Sequence, residues 1–223
     1  MCFSASASFI AGTALSVVGV ATVRLTTRRA EIPFAAIPLL FGIQQIIEGL
    51  IWLSFHEGSA LPNAFLTYAF SVFSHLIWPV FVPFAVGQLE GVSWRRKALT
   101  MTQIGGVAVA LYLMYFIVRF PVMSRVLGGH IVYESPHFFV IAAMLVYLVS
   151  ACGGCLLSSS RIIQVFGALL LVSFIAAYLI HVATLLSMWC FFAAVLSFIV
   201  YVYFVRLRTS RVSQSSPKVA QAR

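Results

Sequence analysis

The segment between Arg161 and Arg206 limits the fold most, because it contains no Asp, Glu, Lys or Arg. As a single helix, rising 1.5 Å per residue, it would extend roughly 70 Å, over twice the ~30 Å hydrocarbon core of a bilayer. We therefore expect two apolar helices joined by a tight turn near Ser187. A chain with such a segment is predicted to cross a membrane more than once.

Composition supports the same class. Hydrophobic residues make up 62% of the 223 residues and charged residues only 9%, whereas soluble domains average about 45–50% and about 25%. Lipid cannot hydrogen-bond to backbone amides, so a spanning chain must form helices or a closed barrel, and these long apolar runs lack the alternation of barrel strands. The prediction is an all-α, polytopic membrane helix bundle.

The apolar runs predict seven transmembrane helices in a domain over residues 1–208. They are placed at about 4–24, 34–55, 63–88, 97–119, 137–157, 161–186 and 188–207. The remaining residues, 209–223, are polar and predicted to form a disordered cytosolic tail.

Basic residues predict the orientation. Of the 14 Lys and Arg, only Arg119 and Arg125 lie outside four sites that follow every second predicted span. The sites are Arg24, Arg28 and Arg29; Arg95, Arg96 and Lys97; Arg161; and Arg206, Arg208, Arg211, Lys218 and Arg223. The positive-inside rule then places the N-terminus outside and the C-terminus in the cytosol. The net charge of +9 indicates anionic lipids on the cytosolic face as partners rather than nucleic acid; a homo-oligomer is left open.

Polar residues within spans are costly in lipid and are therefore the first candidates for function. In the second predicted span, Gln44, Gln45, Glu48 and Trp52 share one helical face. The third span carries Ser71, His75 and Trp78, followed by Pro79; the sixth carries His181 with Tyr178 close by. Proline at 79 also leaves the carbonyl of His75 without its helical partner.

These residues share one depth range. Glu48 and His181 lie about 10 Å and about 9 Å from the outer ends of their predicted helices, with His75 nearer the midplane. Cys2, His137, Trp189 and Cys190 stand at the outer ends of other spans. We expect these side chains to line an outward-opening pocket that is covered by the N-terminus and by the turn-rich loop at 120–136.

The leading chemical hypothesis for this pocket is a metal site. Glu48, His75 and His181 would supply three ligands to zinc or another divalent transition metal, with Cys2 as a possible fourth. A zinc-bound water has a pKa of about 7 and would attack an ester or amide that is presented from the outer leaflet. This layout is similar to that of the seven-span zinc hydrolases of the alkaline ceramidase and adiponectin receptor superfamily, although the last span lacks their His-x-x-x-His pair.

Other functions stay open. A buried Glu and His residues suit a proton or ion channel or a small-solute transporter, in which the Pro-interrupted third span would help to form the site. His75 and His181 would alternatively serve as axial haem ligands in an electron-transfer protein. The pair Cys152-Gly-Gly-Cys155 is interpreted as small residues that let helices approach closely, rather than as a redox motif.

Three segments carry a family resemblance. The opening Met-Cys-Phe-Ser-Ala-Ser-Ala-Ser-Phe and the segments 33–52 and 188–197 resemble an uncharacterised bacterial family of multi-pass membrane proteins. The resemblance covers nearly the whole chain and implies a multi-pass protein of the bacterial cytoplasmic (inner) membrane, without an activity. It draws attention to Cys2, Gln44, Gln45, Glu48, Trp52, Trp189 and Cys190, which are also pocket candidates.

Overall fold

Helices form nearly all of the described protein, as its apolar runs require. The computed structural model describes residues 4–56, 60–134 and 136–215. Its helices are α1 (Ala5–Arg24), α2 (Ile32–Ala35), α3 (Ile37–His56), α4 (Ala60–Ser71), α5 (Trp78–Leu89), α6 (Ser93–Arg119), α7 (Ile141–Leu148), α8 (Gly154–Leu156), α9 (Arg161–Ile180), α10 (Leu185–Leu196) and α11 (Phe198–Ser215). A π-helix at Val72–Ile77 joins α4 to α5, and another at Val149–Gly153 joins α7 to α8.

Six helical segments of the described chain are long and apolar enough to cross a membrane. They are Ala5–Arg24, Arg29–Phe55, Pro62–Leu89, Ser93–Arg119, Arg161–Ile180 and Val182–Ser213. The fifth predicted span corresponds to a shorter apolar segment, Ile141–Leu156. The predicted helix bundle is therefore confirmed, and these six segments are long and apolar enough for a polytopic membrane protein.

The segments that carry the basic residues meet at one end of the bundle, which we call the basic end. Arg211 forms an ion pair with Glu31, which ties α11 to the start of the second long segment. The guanidinium of Arg95 donates to the carbonyls of Leu157 (3.1 Å) and Ser158 (2.7 Å). These contacts tie the first basic site to the fourth and the second to the chain beside Arg161, and the helical turn Arg29–Glu31 packs against α5.

Small residues allow the long helices to approach closely. A Cβ at Gly12 of α1 would lie 2.8 Å from Ile46 Cγ1 of α3, and one at Gly106 of α6 would overlap the carbonyl oxygen of Pro79. A Cβ at Gly167 would likewise lie 2.5 Å from the Cβ of Cys155. This last approach fits the interpretation of the Cys-Gly-Gly-Cys segment as a packing element.

A β-hairpin was not predicted and qualifies the all-α assignment. Strand β1 (Ser124–Leu127) pairs antiparallel with β2 (His130–Tyr133). Gly128 and Gly129, with φ of 57° and 76°, form the turn, because a two-residue hairpin turn of this hand needs positive φ that glycine adopts freely. The Tyr133 ring stacks on Phe70 with centroids 4.3 Å apart, so the hairpin packs on α4 at the end opposite the basic end. We call that end the hairpin end.

Two predicted boundaries differ from the structure. The turn expected near Ser187 lies earlier: α9 ends at Ile180, His181 is extended (φ −166°, ψ 108°), and α10 begins at Leu185. The last helix continues to Ser215, past Arg208, where the polar tail was expected to begin. Residues 216–223 lie outside the described part of the chain.

Candidate functional site: an occluded polar layer

Buried polar side chains from three helices meet inside the bundle. We call this set the polar layer; it consists of Gln44, Gln45 and Glu48 of α3, Trp78 of α5, and Ser187 and Cys190 of α10. Each is at most 6% exposed, and Gln44, Gln45, Glu48 and Ser187 are completely buried. Burying polar groups in an apolar bundle is favourable only where they bond to one another or to a ligand.

Glu48 is held by two donors from the polar layer. The hydroxyl of Ser187 donates to Glu48 Oε1 over 2.6 Å, and the side-chain amide of Gln45 donates to Oε2 over 3.3 Å. Gln45 reaches Glu48 because residues three apart on a helix lie on one face. Ser187 reaches it because α10 packs against α3. The carboxyl of Glu48 is thus the point at which these two helices are joined.

Gln44 connects α3 to the other side of the layer. Its Oε1 accepts a hydrogen bond of 2.8 Å from the indole Nε1 of Trp78, and its amide nitrogen is buried without a hydrogen-bond partner among the described residues. Trp78 in turn stacks on Phe41, with ring centroids 3.8 Å apart. Gln44 therefore joins α3 to α5, whereas the amide of Gln45 bonds to Glu48 within α3.

Interrupted helices surround the polar layer. The π-helix Val72–Ile77 directly precedes Trp78, because Pro79 has no N–H to continue the α-helical pattern. A second π-helix covers Val149–Gly153, and the break at His181–Thr184 directly precedes α10. Single π-turns are frequent at functional sites, and discontinuous helices form the ion and substrate sites of many transporters.

His75 belongs to a neighbouring polar group in the first π-helix. Its Nδ1 shares a hydrogen bond of 2.8 Å with the hydroxyl of Ser74 and lies 3.2 Å from the carbonyl oxygen of Ser71. Tyr147 donates its hydroxyl to the carbonyl of Ser74 over 2.6 Å. The imidazole ring also meets Phe138 edge to face at 5.4 Å. These contacts hold the buried ring in a fixed orientation.

The predicted metal ligands are not brought together. Among residues 4–56, 60–134 and 136–215, no three His, Cys, Asp or Glu are grouped as a metal site requires. His181 is exposed at the helix break, near Thr184, because α9 ends before it. The site of Glu48, His75 and His181 is therefore not supported. Cys2 lies outside the described residues, so a zinc site that includes it stays a prediction, as does the haem hypothesis.

The other predicted pocket residues divide into two groups. Trp52, Ser71 and Trp189 are buried, and the Trp189 indole donates to the carbonyl of Leu170 over 3.0 Å. Tyr178, in contrast, is 42% exposed. His137 lies in a separate surface pocket, where its ring stacks on Phe116.

The polar layer is closed on the side where an opening was predicted. Strand β2 packs against α10 and against the break that precedes it, and its residues Ile131, Val132 and Tyr133 are buried. Glu48, Gln45 and Ser187 are themselves completely buried. The predicted outward-opening pocket is therefore, in this structure, an occluded layer beneath the hairpin.

A narrow cavity adjoins the layer on its other side. Trp78 and Cys190 line both the layer and the cavity, which has a volume of about 30 Å³. Its remaining walls are mainly apolar and aromatic: Ile37, Phe41, Val82, Tyr147, Ala151, Phe166, Leu170, Trp189 and Ala193. A volume of about 30 Å³ is near the share of one water molecule in the liquid.

Ser187 is the functional candidate that the sequence did not reveal. The sequence predicts a turn there, since nothing in the uncharged run marks where one helix ends. A signal was present in the spacing of Ser187 and Cys190, which puts both residues on one face of a helix that begins before them. That spacing becomes informative only once the break at His181–Thr184 is known, because only then do both residues lie in one helix.

Comparisons with known proteins place the chain in a family without an assigned activity. A model of a family of unknown function, DUF6629, matches residues 1–216. The chain matches no curated protein and no solved structure. The predicted resemblance to an uncharacterised family is thereby confirmed, whereas the similarity in layout to the ceramidase superfamily gains no support.

Proposed function

The chain belongs to this family of unknown function, DUF6629, and from its polar layer we propose that it moves protons, alone or with a small solute, across a membrane. Glu48 is the proposed proton-binding group. The observation that carries the proposal is a completely buried carboxyl, among apolar helices, that accepts hydrogen bonds from two side chains on two helices.

A carboxyl in this setting suits proton binding because its charged and neutral forms are stabilised by different features of the surroundings. Carboxylate oxygens accept hydrogen bonds from Ser187 and Gln45, whereas the protonated carboxyl is neutral and therefore cheaper to bury in a low-dielectric interior. The side chains of Ser187 and Gln45 are both neutral, so neither of these two described partners fixes the charge of Glu48. Intramembrane carboxyls of this kind are typical members of proton relays in pumps and transporters.

The helix interruptions supply the second argument. Transporters commonly bind their ions where helices are broken, and they alternate access by moving one helix group against another. Here the break at His181–Thr184 directly precedes α10, which carries Ser187. Movement of α10 at this break would separate Ser187 from Glu48. The occluded layer is then one state of a cycle that exposes Glu48 to each side in turn.

The proposal includes a specific topology. Seven crossings, with Ile141–Leu156 as the fifth, would put the N-terminus outside and the C-terminus in the cytosol of a bacterial cytoplasmic membrane. The gathering of Arg95, Arg211 and their neighbours at the basic end supports this arrangement, since cytosolic loops are enriched in Lys and Arg. The hairpin would then face the outside.

Proton flux into liposomes tests the proposal. Purified protein is reconstituted around a pH-sensitive dye, and a potassium diffusion potential is imposed. Wild type should acidify the interior faster than empty liposomes, and Glu48→Gln should remove that difference while its Oε1 still accepts from Ser187. Glu134→Gln, an exposed carboxyl of the hairpin end, is the matched control and should retain flux. Equal flux in wild type and Glu48→Gln would refute the proposal.

A further inference from the structure

A second pocket lies at the hairpin end, apart from the polar layer. Its volume is about 270 Å³, and its walls include Phe116, Phe120, Glu134 and His137. The His137 ring stacks on Phe116 with centroids 3.6 Å apart and planes at 15°, and Phe120 lies 5.9 Å from Phe116 at 18°. We call these three nearly parallel rings the aromatic wall.

Charges of both signs stand beside this wall. Glu134 lines the pocket and forms an ion pair with Arg125 Nε at 3.1 Å, while its side chain remains 36% exposed. Arg119 is exposed, with its guanidinium carbon 5.9 Å from the centroid of Phe120. The backbone N–H of Glu134 donates to the carbonyl of Met123 over 2.9 Å. This bond holds the backbone from which the Glu134 side chain extends. A carboxylate and a guanidinium thus flank one aromatic surface.

The position of the pocket indicates what it meets. Helix α6 starts beside the basic residues Arg95, Arg96 and Lys97 and ends at Arg119, where its apolar run stops. If α6 crosses the bilayer, Arg119 and Glu134 lie where the hydrocarbon gives way to headgroups. Phospholipid headgroups are the most abundant small ligands at that depth.

We propose that this pocket binds the headgroup of a zwitterionic phospholipid with a primary amine, of the phosphatidylethanolamine type. The ammonium group donates hydrogen bonds to Glu134 and lies against the aromatic wall, where a ring face attracts a cation. The phosphate accepts from Arg119, because guanidinium and phosphate match in charge and geometry. This inference does not depend on the proton-binding role of Glu48.

The same chemistry sets the expected order of ligands. A phosphatidylglycerol headgroup carries no ammonium group, so it brings no cation to pair with Glu134 or to lie against the aromatic wall. A phosphatidylcholine headgroup has a cation for the aromatic wall but no N–H to donate to Glu134. Both lipids are therefore expected to bind more weakly than the primary amine.

Native mass spectrometry of the full chain in detergent measures this order. The protein is titrated with short-chain phosphatidylethanolamine, phosphatidylcholine or phosphatidylglycerol, and bound lipids are counted. Glu134→Gln should weaken binding of phosphatidylethanolamine roughly tenfold, as loss of a charge-assisted bond implies. Arg96→Gln, which removes a cation at the basic end, is the control and should leave that affinity unchanged.

A second variant and a soluble competitor complete the test. Phe120→Leu should weaken binding of phosphatidylethanolamine and phosphatidylcholine, the two lipids with a cation, since it shortens the aromatic wall without touching the ion pair. Displacement of the lipid by free phosphoethanolamine at equal concentration would keep the headgroup chemistry but assign the site to a soluble ligand. Equal affinity for all three lipids, or unchanged affinity in Glu134→Gln, would overturn the inference.

Discussion

The hydroxyl of Ser187 donates a hydrogen bond of 2.6 Å to Oε1 of Glu48, across 139 positions of the sequence. Both side chains are completely buried, and they connect α3 to α10 directly after the break at His181–Thr184. A bond between a carboxyl and a neutral hydroxyl fixes position without fixing charge. This combination is what a group that takes up and releases a proton requires.

Removing the Ser187 hydroxyl should weaken both fold and flux. Ser187→Ala leaves Glu48 with one donor fewer, and loss of a buried hydrogen bond to a charged group costs about 1–3 kcal/mol. Unfolding in mixed detergent micelles and the liposome assay measure the two effects. Ser173→Ala is the control, because among the described residues that hydroxyl bonds only to the carbonyl of Leu170 in its own helix, at 2.8 Å. Equal behaviour of the two variants would contradict a special role for Ser187.

Neighbouring glycines of α6 should respond differently to alanine. A Cβ at Gly106 would overlap the carbonyl oxygen of Pro79, whereas one at Gly105 would make an ordinary contact of 3.5 Å with Val146. Gly106→Ala is therefore expected to destabilise the protein by about 3 kcal/mol, as overpacking against backbone does. Thermal unfolding in detergent compares the pair. A stable Gly106→Ala variant would show that α5 and α6 do not pack as closely as described.

Glu90 should make stability depend on pH at the basic end. Burial acts to raise the pKa of Glu90, but hydrogen bonds from the backbone N–H of Val92 (2.9 Å) and of Ser159 (2.7 Å) outweigh it, with help from Arg95, and lower the pKa below 4.5. Because the folded pKa is the lower one, the stabilisation is complete above the unfolded value. It is lost as pH falls through the folded value.

The comparison of wild type with Glu90→Gln measures this dependence. The difference in unfolding free energy is expected to be about 1–2 kcal/mol at neutral pH and to shrink as pH falls below 4.5. Glu134→Gln should change stability less, because its ion pair is exposed. A difference between wild type and Glu90→Gln that stays constant down to the acid transition would contradict the assigned hydrogen bonds.

Cysteine labelling in intact cells should reveal the orientation. Cys152, Cys155 and Cys190 are buried, so a chain with Cys2→Ser provides a background in which single new cysteines are read. A membrane-impermeant maleimide is expected to label Leu127→Cys of the hairpin from outside, and Arg96→Cys only after permeabilisation. The reverse pattern would invert the proposed topology.

The sequence predicts the class of fold well because hydrophobicity and charge act over whole segments. Between Arg161 and Arg206, however, no charge, Gly-Pro turn or polar cluster marks the end of a helix. The predicted boundary is therefore Ser187, whereas the helix breaks at His181–Thr184. This small shift had a large effect on the site. With the boundary at Ser187, His181 is predicted to lie inside the bundle as a metal ligand. Ser187 is then predicted to lie in a turn, without a functional role.

Contacts between side chains that are distant in the sequence could not be predicted, for a different reason. The face that carries Gln44, Gln45 and Glu48 was correctly assigned to the protein interior, because a helical period fixes which residues share a face. Which partner each one meets depends on the rotation of α5 and α10 against α3. Trp78 and Ser187 are therefore found only from the packed structure. The hairpin is not among the predicted elements, although two adjacent glycines, here Gly128 and Gly129, are a known signal for a hairpin turn.

The most direct measurement of the central claim is infrared difference spectroscopy of the reconstituted protein during a pH titration. If Glu48 takes up and releases a proton, wild type will show a carboxyl C=O band that appears on protonation. That band should be missing in Glu48→Gln, kept in Glu134→Gln and shifted in Ser187→Ala, which removes a hydrogen bond from the same carboxyl. Identical difference spectra for wild type and Glu48→Gln would contradict the claim.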